Sequence, residues 1–204
     1  MKENLEFEIK SEINPNNAKL INFILQLPRA VAKLSITDVY YDTQTSELYK
    51  KGIFLRVRNN KRFEIKCDTD QELTHTKTEN YKFYLPLSTD DFKEISLFLK
   101  HHITEINSNS KSIFTNFELI ELVKIDKVRE EHSFDNLDIS VDDVLDLGKF
   151  IEVEGSTTND FTRIKKLISS LNLSNMEVGY VELMLRKLNF EIYKTGRYIL
   201  NIDK

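Results

Sequence analysis

Four segments of this 204-residue chain set charged residues two apart against apolar ones, and that arrangement limits the fold more than anything else in the sequence. In Leu5-Glu6-Phe7-Glu8-Ile9-Lys10 the charged set is Glu6, Glu8 and Lys10, and in Ile53-Phe54-Leu55-Arg56-Val57-Arg58 it is Arg56 and Arg58. Phe63-Glu64-Ile65-Lys66-Cys67 carries Glu64 and Lys66, and Phe150-Ile151-Glu152-Val153-Glu154 carries Glu152 and Glu154. Side chains two apart on an extended strand share a face. One such segment reads as a half-buried surface strand. Its return in several strands describes a sheet with one apolar face and one face of clustered carboxylates and cations.

The rest of the chain supplies few helices and many turns. Leu20, Ile21, Ile24 and Leu25 fall at helical spacing over 18–27, opened by Asn14-Pro15-Asn16-Asn17 and stopped by Pro28. Residues 36–42 are rich in strand formers, Gly52 admits the arginine-bearing strand, and Asn59-Asn60 makes a tight turn into the Glu64/Lys66 strand. Residues 68–79 read as a polar loop, 81–85 as a strand ended by Pro86, and Thr89, followed by Asp90 and Asp91, as the cap of a helix. Residues 107–112 form a polar turn, two or three strands fall between 114 and 143, and Thr158-Asn159-Asp160 caps a further helix. A last helix is expected over 178–188 and a strand-like tail over 190–202.

Strands joined mostly by turns predict an α+β fold in which an antiparallel sheet closes, or nearly closes, into a barrel with helices packed outside. If helices cover the apolar outer face, the charged face becomes the lumen. Each ion withdrawn from water loses several kcal/mol unless an opposite charge, a metal or a ligand restores it. A lumen of this kind calls for a guest of matching charge.

Composition sets the bounds. Hydrophobic residues at 40% and charged residues at 30% suit a globular chain, read as a single domain over 1–204. A net charge of -4 argues against a partner nucleic-acid polymer gripped by a broad basic surface. Cys67 is the only cysteine, so no internal disulfide can form. The first residues lack the apolar core of a signal peptide, and no run approaches the roughly 18 apolar residues of a membrane span. The expectation is a cytoplasmic protein without a membrane partner, monomeric or homodimeric.

The candidate lumen cations are Lys10, Arg56, Arg58, Lys66, Lys127 and Arg129, and the candidate carboxylates are Glu6, Glu8, Glu64, Asp142, Glu152 and Glu154. Carboxylate oxygens are the usual protein ligands of Mg²⁺ or Mn²⁺, which also bind phosphate oxygens. Arginine and lysine hold the phosphate itself, arginine in bidentate fashion. A cation and a phosphate 4 Å apart attract by about 4 kcal/mol at an effective dielectric near 20. The two sets together suit a polyphosphate bound with its metal.

These residues also carry a family resemblance. Glu6-x-Glu8-x-Lys10 resembles the ExExK signature of the CYTH superfamily, also called triphosphate tunnel metalloenzymes, which includes class IV adenylyl cyclases and thiamine triphosphatases. Tyr40-Tyr41-Asp42 followed by Leu48, Gly52 and Leu55-Arg56-Val57-Arg58 is similar to the family's YxD and LxxxGxxLRxR segments. Lys127-x-Arg129, Asp142-Asp143-Val144 and the run from Leu147 through Glu154 resemble its DEVxxLGxFxExE stretch, and Gly179-Tyr180-Val181-Glu182-Leu183 the SYxEL helix of its cyclase-like branch. The resemblance implies an eight-stranded antiparallel tunnel around a small-molecule triphosphate. It implies Mg²⁺ or Mn²⁺ on Glu6, Glu8, Glu152 and Glu154, with Asp142 as a metal or water ligand, and phosphate held by Lys10, Arg56, Arg58, Lys66, Lys127 and Arg129. Where relatives carry an RxExE strand this chain has Lys77-Thr78-Glu79-Asn80-Tyr81, which leaves Lys77 a poor match and Lys82 no better placed.

The leading expectation is a metal-dependent hydrolase of an organic or inorganic triphosphate, with Glu6 or Glu8 orienting the attacking water. The alternatives are a class IV cyclase converting ATP to cyclic AMP and pyrophosphate, and a non-catalytic polyphosphate-binding module. His101, His102 and His132 lack the partner spacing of a zinc site, and Arg197 is at most a residue of the tunnel mouth.

Overall fold

The computed structural model describes residues 4–68, 76–104, 106, 110 and 112–204. Eight strands follow in chain order, β1 (Asn4–Glu12), β2 (Ala32–Asp42), β3 (Ile53–Arg58), β4 (Arg62–Asp68), β5 (Lys77–Tyr84), β6 (Ile120–Phe134), β7 (Leu137–Val144) and β8 (Gly148–Gly155). They close into an antiparallel barrel in the order β1-β5-β4-β3-β2-β6-β7-β8. The helices are α1 (Ala18–Gln26), α2 (Glu47–Lys50), α3 (Thr89–His102), α4 (Ile113–Asn116), α5 (Thr158–Ser170), α6 (Tyr180–Leu188) and α7 (Phe190–Tyr193). Among the described residues no helix is long and apolar enough to cross a membrane.

The turns show why the strands double back. Asn59 and Asn60 between β3 and β4, and Asp135 and Asn136 between β6 and β7, all adopt positive φ. Asp135 and Asn136 form a two-residue hairpin whose left-handed pair matches the strand twist, while Asn59, Asn60 and Lys61 make a three-residue loop, and Asn and Asp tolerate positive φ well. Gly52 holds φ +70 at the entry to β3, a conformation open to glycine without strain. The carboxylate of Asp42 accepts the N–H groups of Thr43 (2.7 Å), Leu48 (3.0 Å) and Tyr49 (2.7 Å), so this buried acid anchors α2 rather than facing the lumen.

Apolar packing falls into three groups. Ile139, Ile151, Val153, Phe7 and Ile9 on the outer face of β7, β8 and β1 pack under Leu20 of α1 and Ile164 and Ile168 of α5. Leu55, Val57, Phe63, Ile65 and Phe83 on the outside of β3 to β5 pack under Ile95 and Leu99 of α3. The third group joins Tyr40, Phe54, Val123, Ile125, Val144 and Phe150 at one end of the barrel to Tyr180, Val181, Met184 and Leu185 of α6 and Tyr193 of α7. That end is stoppered by aromatic and aliphatic side chains. The opposite end, where the β3–β4 and β6–β7 turns lie, is the open mouth.

Several local expectations shift. Ser88 and not Thr89 caps α3, and Thr157 caps α5, each in a box with the aspartate three residues on. Strand β5 begins at Lys77, while residues 69–75 of the expected loop, and 107–109 and 111 of the expected polar turn, lie outside the described residues. The tail is not a strand. Asn189 caps α7 by accepting the Ile192 N–H (3.1 Å), and a 3-10 turn at Asn201–Asp203 ends the chain. A barrel that has already closed offers no free edge for a ninth strand to pair with.

Ile151 is fully buried between β8 and the covering helices. Ile151→Ala is expected to lower unfolding free energy by about 2–5 kcal/mol in urea titration, whereas Leu145→Ala, at 62% exposure, should stay within about 0.5 kcal/mol of the parent.

Candidate functional site

The strand period carries the charged residues inward. A cavity of about 370 Å³ fills the barrel, lined among others by Glu6, Glu8, Lys10, Arg56, Arg58, Lys66, Lys127, Arg129, Glu152 and Glu154. The two remaining predicted residues, Glu64 (1% exposed) and Asp142 (0%), are inner-face residues buried beneath cations and do not line it. The charges divide around the circumference. Carboxylates gather on the adjacent strands β1 and β8, where Glu8 stands across from Glu154 and Lys10 across from Glu152. Arginines gather on β3, β4 and β6.

Most of these ions are paired. Lys10 bridges Glu8 and Glu152 at 3.0 Å each, and Lys66 reaches Glu8 at 3.0 Å and Glu6 at 3.5 Å. Burial pushes the Glu8 carboxyl up, but the charges of Lys10 and Lys66 outweigh it and hold the group well below its ordinary range. Burial likewise opposes the charge of Glu152, and Arg129, Lys10 and Lys127 overcome it. On the other side, the Arg56 guanidinium donates to Glu64 from Nε (2.9 Å) and Nη2 (2.6 Å) and to the Tyr40 hydroxyl from Nη1 (3.0 Å). Arg62 Nε donates to the other Glu64 oxygen. Burial would raise Glu64, yet Arg56, Arg58 and Arg62 bring it down to about 2.

Asp142 is bound more fully still. It accepts Lys127 Nζ (2.6 Å), Arg129 Nε (2.7 Å) and Nη2 (2.6 Å), and the Tyr180 hydroxyl (3.1 Å). Three of these donors fall on Oδ2 and one on Oδ1, so of about four acceptor sites this fully buried acid has little over for a metal, and Glu64 is nearly as occupied. Lys127 titrates unusually low, at about 8, because burial of its ammonium, together with the neighbouring Arg129, outweighs the attraction of Glu152 and Asp142.

Glu154 is the exception. It makes no hydrogen bond or ion pair with any described residue, and burial followed by the repulsion of Glu6 raises its carboxyl to about 7, with Lys66 offsetting only part. Among the described residues no three acidic, histidine or cysteine side chains yet converge on a common point. The donor set nevertheless suits Mg²⁺ or Mn²⁺. Glu154 is a half-buried oxygen ligand short of a positive charge, with Glu8 and Glu152 beside it carrying a single lysine or arginine on each oxygen.

Sequence reasoning missed Asp38 and Arg62 as lumen residues, gave Tyr40 no role in the lumen, and set Lys82 aside. Asp38 and Tyr40 occupy alternate positions of β2, a signal present in Ile36-Thr37-Asp38-Val39-Tyr40. On β5 the inward residues are Thr78, Asn80 and Lys82, so Lys77 and Glu79 point away from the cavity and Lys82 reaches Glu6 at 3.1 Å. His132 lies within β6, lines the cavity and contacts the Pro28 carbonyl (2.8 Å). Arg197 packs at Gly52 and Asp68, away from the open mouth.

A closed eight-stranded antiparallel barrel whose bore is lined by opposed acids and bases is a tunnel fold. The family model for the CYTH domain matches residues 4–176, and the chain belongs to that family. A search of curated proteins by sequence returns no match. Among solved structures, a Pyrococcus horikoshii protein is similar at 21% identity and TM-score 0.61, covering 89% of this chain and 99% of that one. A candidate adenylate cyclase from Bacillus halodurans is similar at 17% identity and TM-score 0.58, covering 93% and 100%. A Hippeastrum candidate adenylyl cyclase, described as having a dominant triphosphatase activity, is similar at 15% identity and TM-score 0.56, covering 91% and 95%. At these identities the likeness is one of fold.

The raised Glu154 carboxyl has a stability consequence with a definite sign. The folded chain holds this proton more tightly than the unfolded one, so its contribution is complete below about 4.5 and is lost as pH rises through about 7. Glu154→Gln should therefore raise the melting temperature over the parent at pH 8 and not at pH 4.5. Mn²⁺ should stabilise the parent at pH 8 and leave the Gln variant unmoved in the same thermal-shift series.

Proposed function

We propose that the barrel lumen is the active site of a metal-dependent hydrolase of a small triphosphate. The observation that carries this reading is the unpartnered Glu154 on the acidic wall, facing a lumen whose other wall is arginine and lysine. A pure anion-binding module needs the bases alone, and a bare carboxylate facing the bore would only weaken it. Membership of the CYTH family and the activity described for the Hippeastrum protein support the same class of substrate.

Glu8, Glu152 and Glu154 would hold the divalent ion, with Glu6 adjoining them. When bound, the ion neutralises phosphate charge and makes the phosphorus a better electrophile. Arg58, Arg129 and Lys127 bind the phosphate oxygens and stabilise the charge that moves onto the leaving group. Glu6 or Glu8 orients a water toward the terminal phosphorus, and the water oxygen forms the new P–O bond as the bridging P–O bond breaks. The remaining diphosphate portion leaves with the bridging oxygen, and the water keeps one proton as the P–OH of orthophosphate and passes the other to a phosphate oxygen. The stoppered end under α6 excludes bulk water from the inner part of the bore. Cyclisation is the second reading, motivated by the Bacillus halodurans neighbour. It would use the same clamp, with a ribose 3′-hydroxyl attacking the α-phosphate.

Incubation of the purified protein with tripolyphosphate, thiamine triphosphate or ATP plus Mg²⁺ or Mn²⁺ tests the reading. Orthophosphate release is expected; cyclic AMP with pyrophosphate would replace hydrolysis by cyclisation, and tight binding without any product would point to a module. Glu154→Gln should reduce turnover on the order of 100-fold. That loss, alongside the gain in melting temperature, is the mark of a residue kept for function against stability.

A further inference from the structure

Two arginines, one on β3 and one on β6, are gripped in the same manner. Asp38 on β2 stands directly across from Arg58 on β3 and accepts its Nε (2.7 Å) and Nη2 (2.6 Å), one on each oxygen. Asp142 on β7 stands directly across from Arg129 on β6 and accepts the same two nitrogens at the same two distances. In both, the carboxylate fills the Nε/Nη2 edge of the fork, and Arg129 Nη2 donates in addition to Glu152, so that Arg58 keeps the more open edge of the two. No described residue accepts from Nη1 of either arginine, and both side chains line the cavity.

Arg56 differs. Its Nε, Nη1 and Nη2 all have protein acceptors in Glu64, Tyr40 and Asp38, which makes it part of the wall. Asp38 is 2% exposed, so nothing in solvent competes for its oxygens. It stays ionised there because the charges of Arg56 and Arg58 overcome the burial of the acid.

An arginine side chain carries about 2 kcal/mol of rotamer entropy, and a ligand that must order it gives up part of its affinity. A bidentate carboxylate behind the guanidinium removes that freedom before the ligand arrives and fixes the plane of the remaining edge. We infer that Asp38 is a positioning residue, holding Arg58 so that its open guanidinium edge meets an incoming phosphate, as Asp142 does for Arg129. The inference rests on the lumen being a triphosphate site. It also gives Asp142 a role in keeping with its four donors, as the anchor of the basic wall.

The test compares steady-state kinetics on tripolyphosphate and calorimetric binding of tripolyphosphate for the parent, Asp38→Asn, Arg58→Ala, the double variant and Arg58→Lys. Asp38→Asn keeps the shape but can accept from only one of the two nitrogens. It should raise KM by about 10-fold, equivalent to about 1.4 kcal/mol, with kcat changed by less than about 3-fold. Arg58→Ala should raise KM at least as much, and adding Asp38→Asn to it should raise KM no further, since the acid acts through the arginine. Arg58→Lys keeps the charge without the planar fork and should bind no better than Arg58→Ala. That arm decides the matter even if Asp38→Asn fails to fold. Parent-like KM in a folded Asp38→Asn, additive losses in the double variant, or parent-like binding by Arg58→Lys would each overturn the inference. A parent protein that neither binds nor hydrolyses tripolyphosphate overturns the functional reading and this inference with it.

Discussion

The structure depends on the mutual neutralisation of ions inside a closed barrel. Among the described residues, eight cations and ten carboxylates surround the cavity, counting the buried Asp38, Glu64 and Asp142. Each of the buried ones, such as Asp38, Glu64 or Asp142, would oppose folding by on the order of several kcal/mol if left unpaired. Pairing is local: Lys10 sits between Glu8 and Glu152, Glu64 takes Arg56 and Arg62, and Asp142 takes Lys127 and Arg129. The barrel makes this feasible because cross-strand register brings partners from adjacent strands to the same height.

Closure decides where everything else goes. With no free edge, each strand has its hydrogen bonds satisfied by two neighbours, and the outer apolar residues of β7, β8, β1 and of β3 to β5 are left for helices to cover. The β2–β6 pair has polar outward residues such as Thr37 and Asp126, which bond each other at 2.5 Å, and needs no helix. The C-terminal elements stopper one end, and Tyr180 belongs to both the stopper and the ionic lining. Its ring lies 4.1 Å beneath Lys10 Nζ, and its hydroxyl donates to Asp142. α6 is thereby tied to the chemistry of the lumen rather than merely stacked upon it.

Much of this was legible in alternation alone, because a two-residue period assigns faces without reference to any partner. Glu6, Glu8, Lys10, Arg56, Arg58, Lys66, Glu152 and Glu154 all turn inward as their spacing requires. Pairing was not legible. Nothing in the residue types distinguishes Glu154, left bare, from Glu64, which takes two arginines, since that depends on which strands become neighbours and in what register. Lys82 was set aside with Lys77 because neither fitted the family spacing, yet the two lie on opposite faces of β5, and only Lys82 turns inward. The tail failed for a different reason. Its sequence tolerates extension, but the completed barrel leaves it nothing to pair with.

The balance of charge also limits what the lumen can accept. A triphosphate brings several negative charges into a space where carboxylates already outnumber cations and where most lysine and arginine donors are engaged. Entry as a bare anion would set phosphate against Glu8, Glu152 and Glu154 across a narrow bore. On the proposed reading, entry with a divalent ion would reverse the sign on that side: the acids would serve as ligands, and the lysines they release would be free for the phosphates. On that reading the acidic wall would act as a selector, favouring the anion that arrives with its metal over the anion alone, and Glu154 would supply the part of that preference Lys66 does not offset.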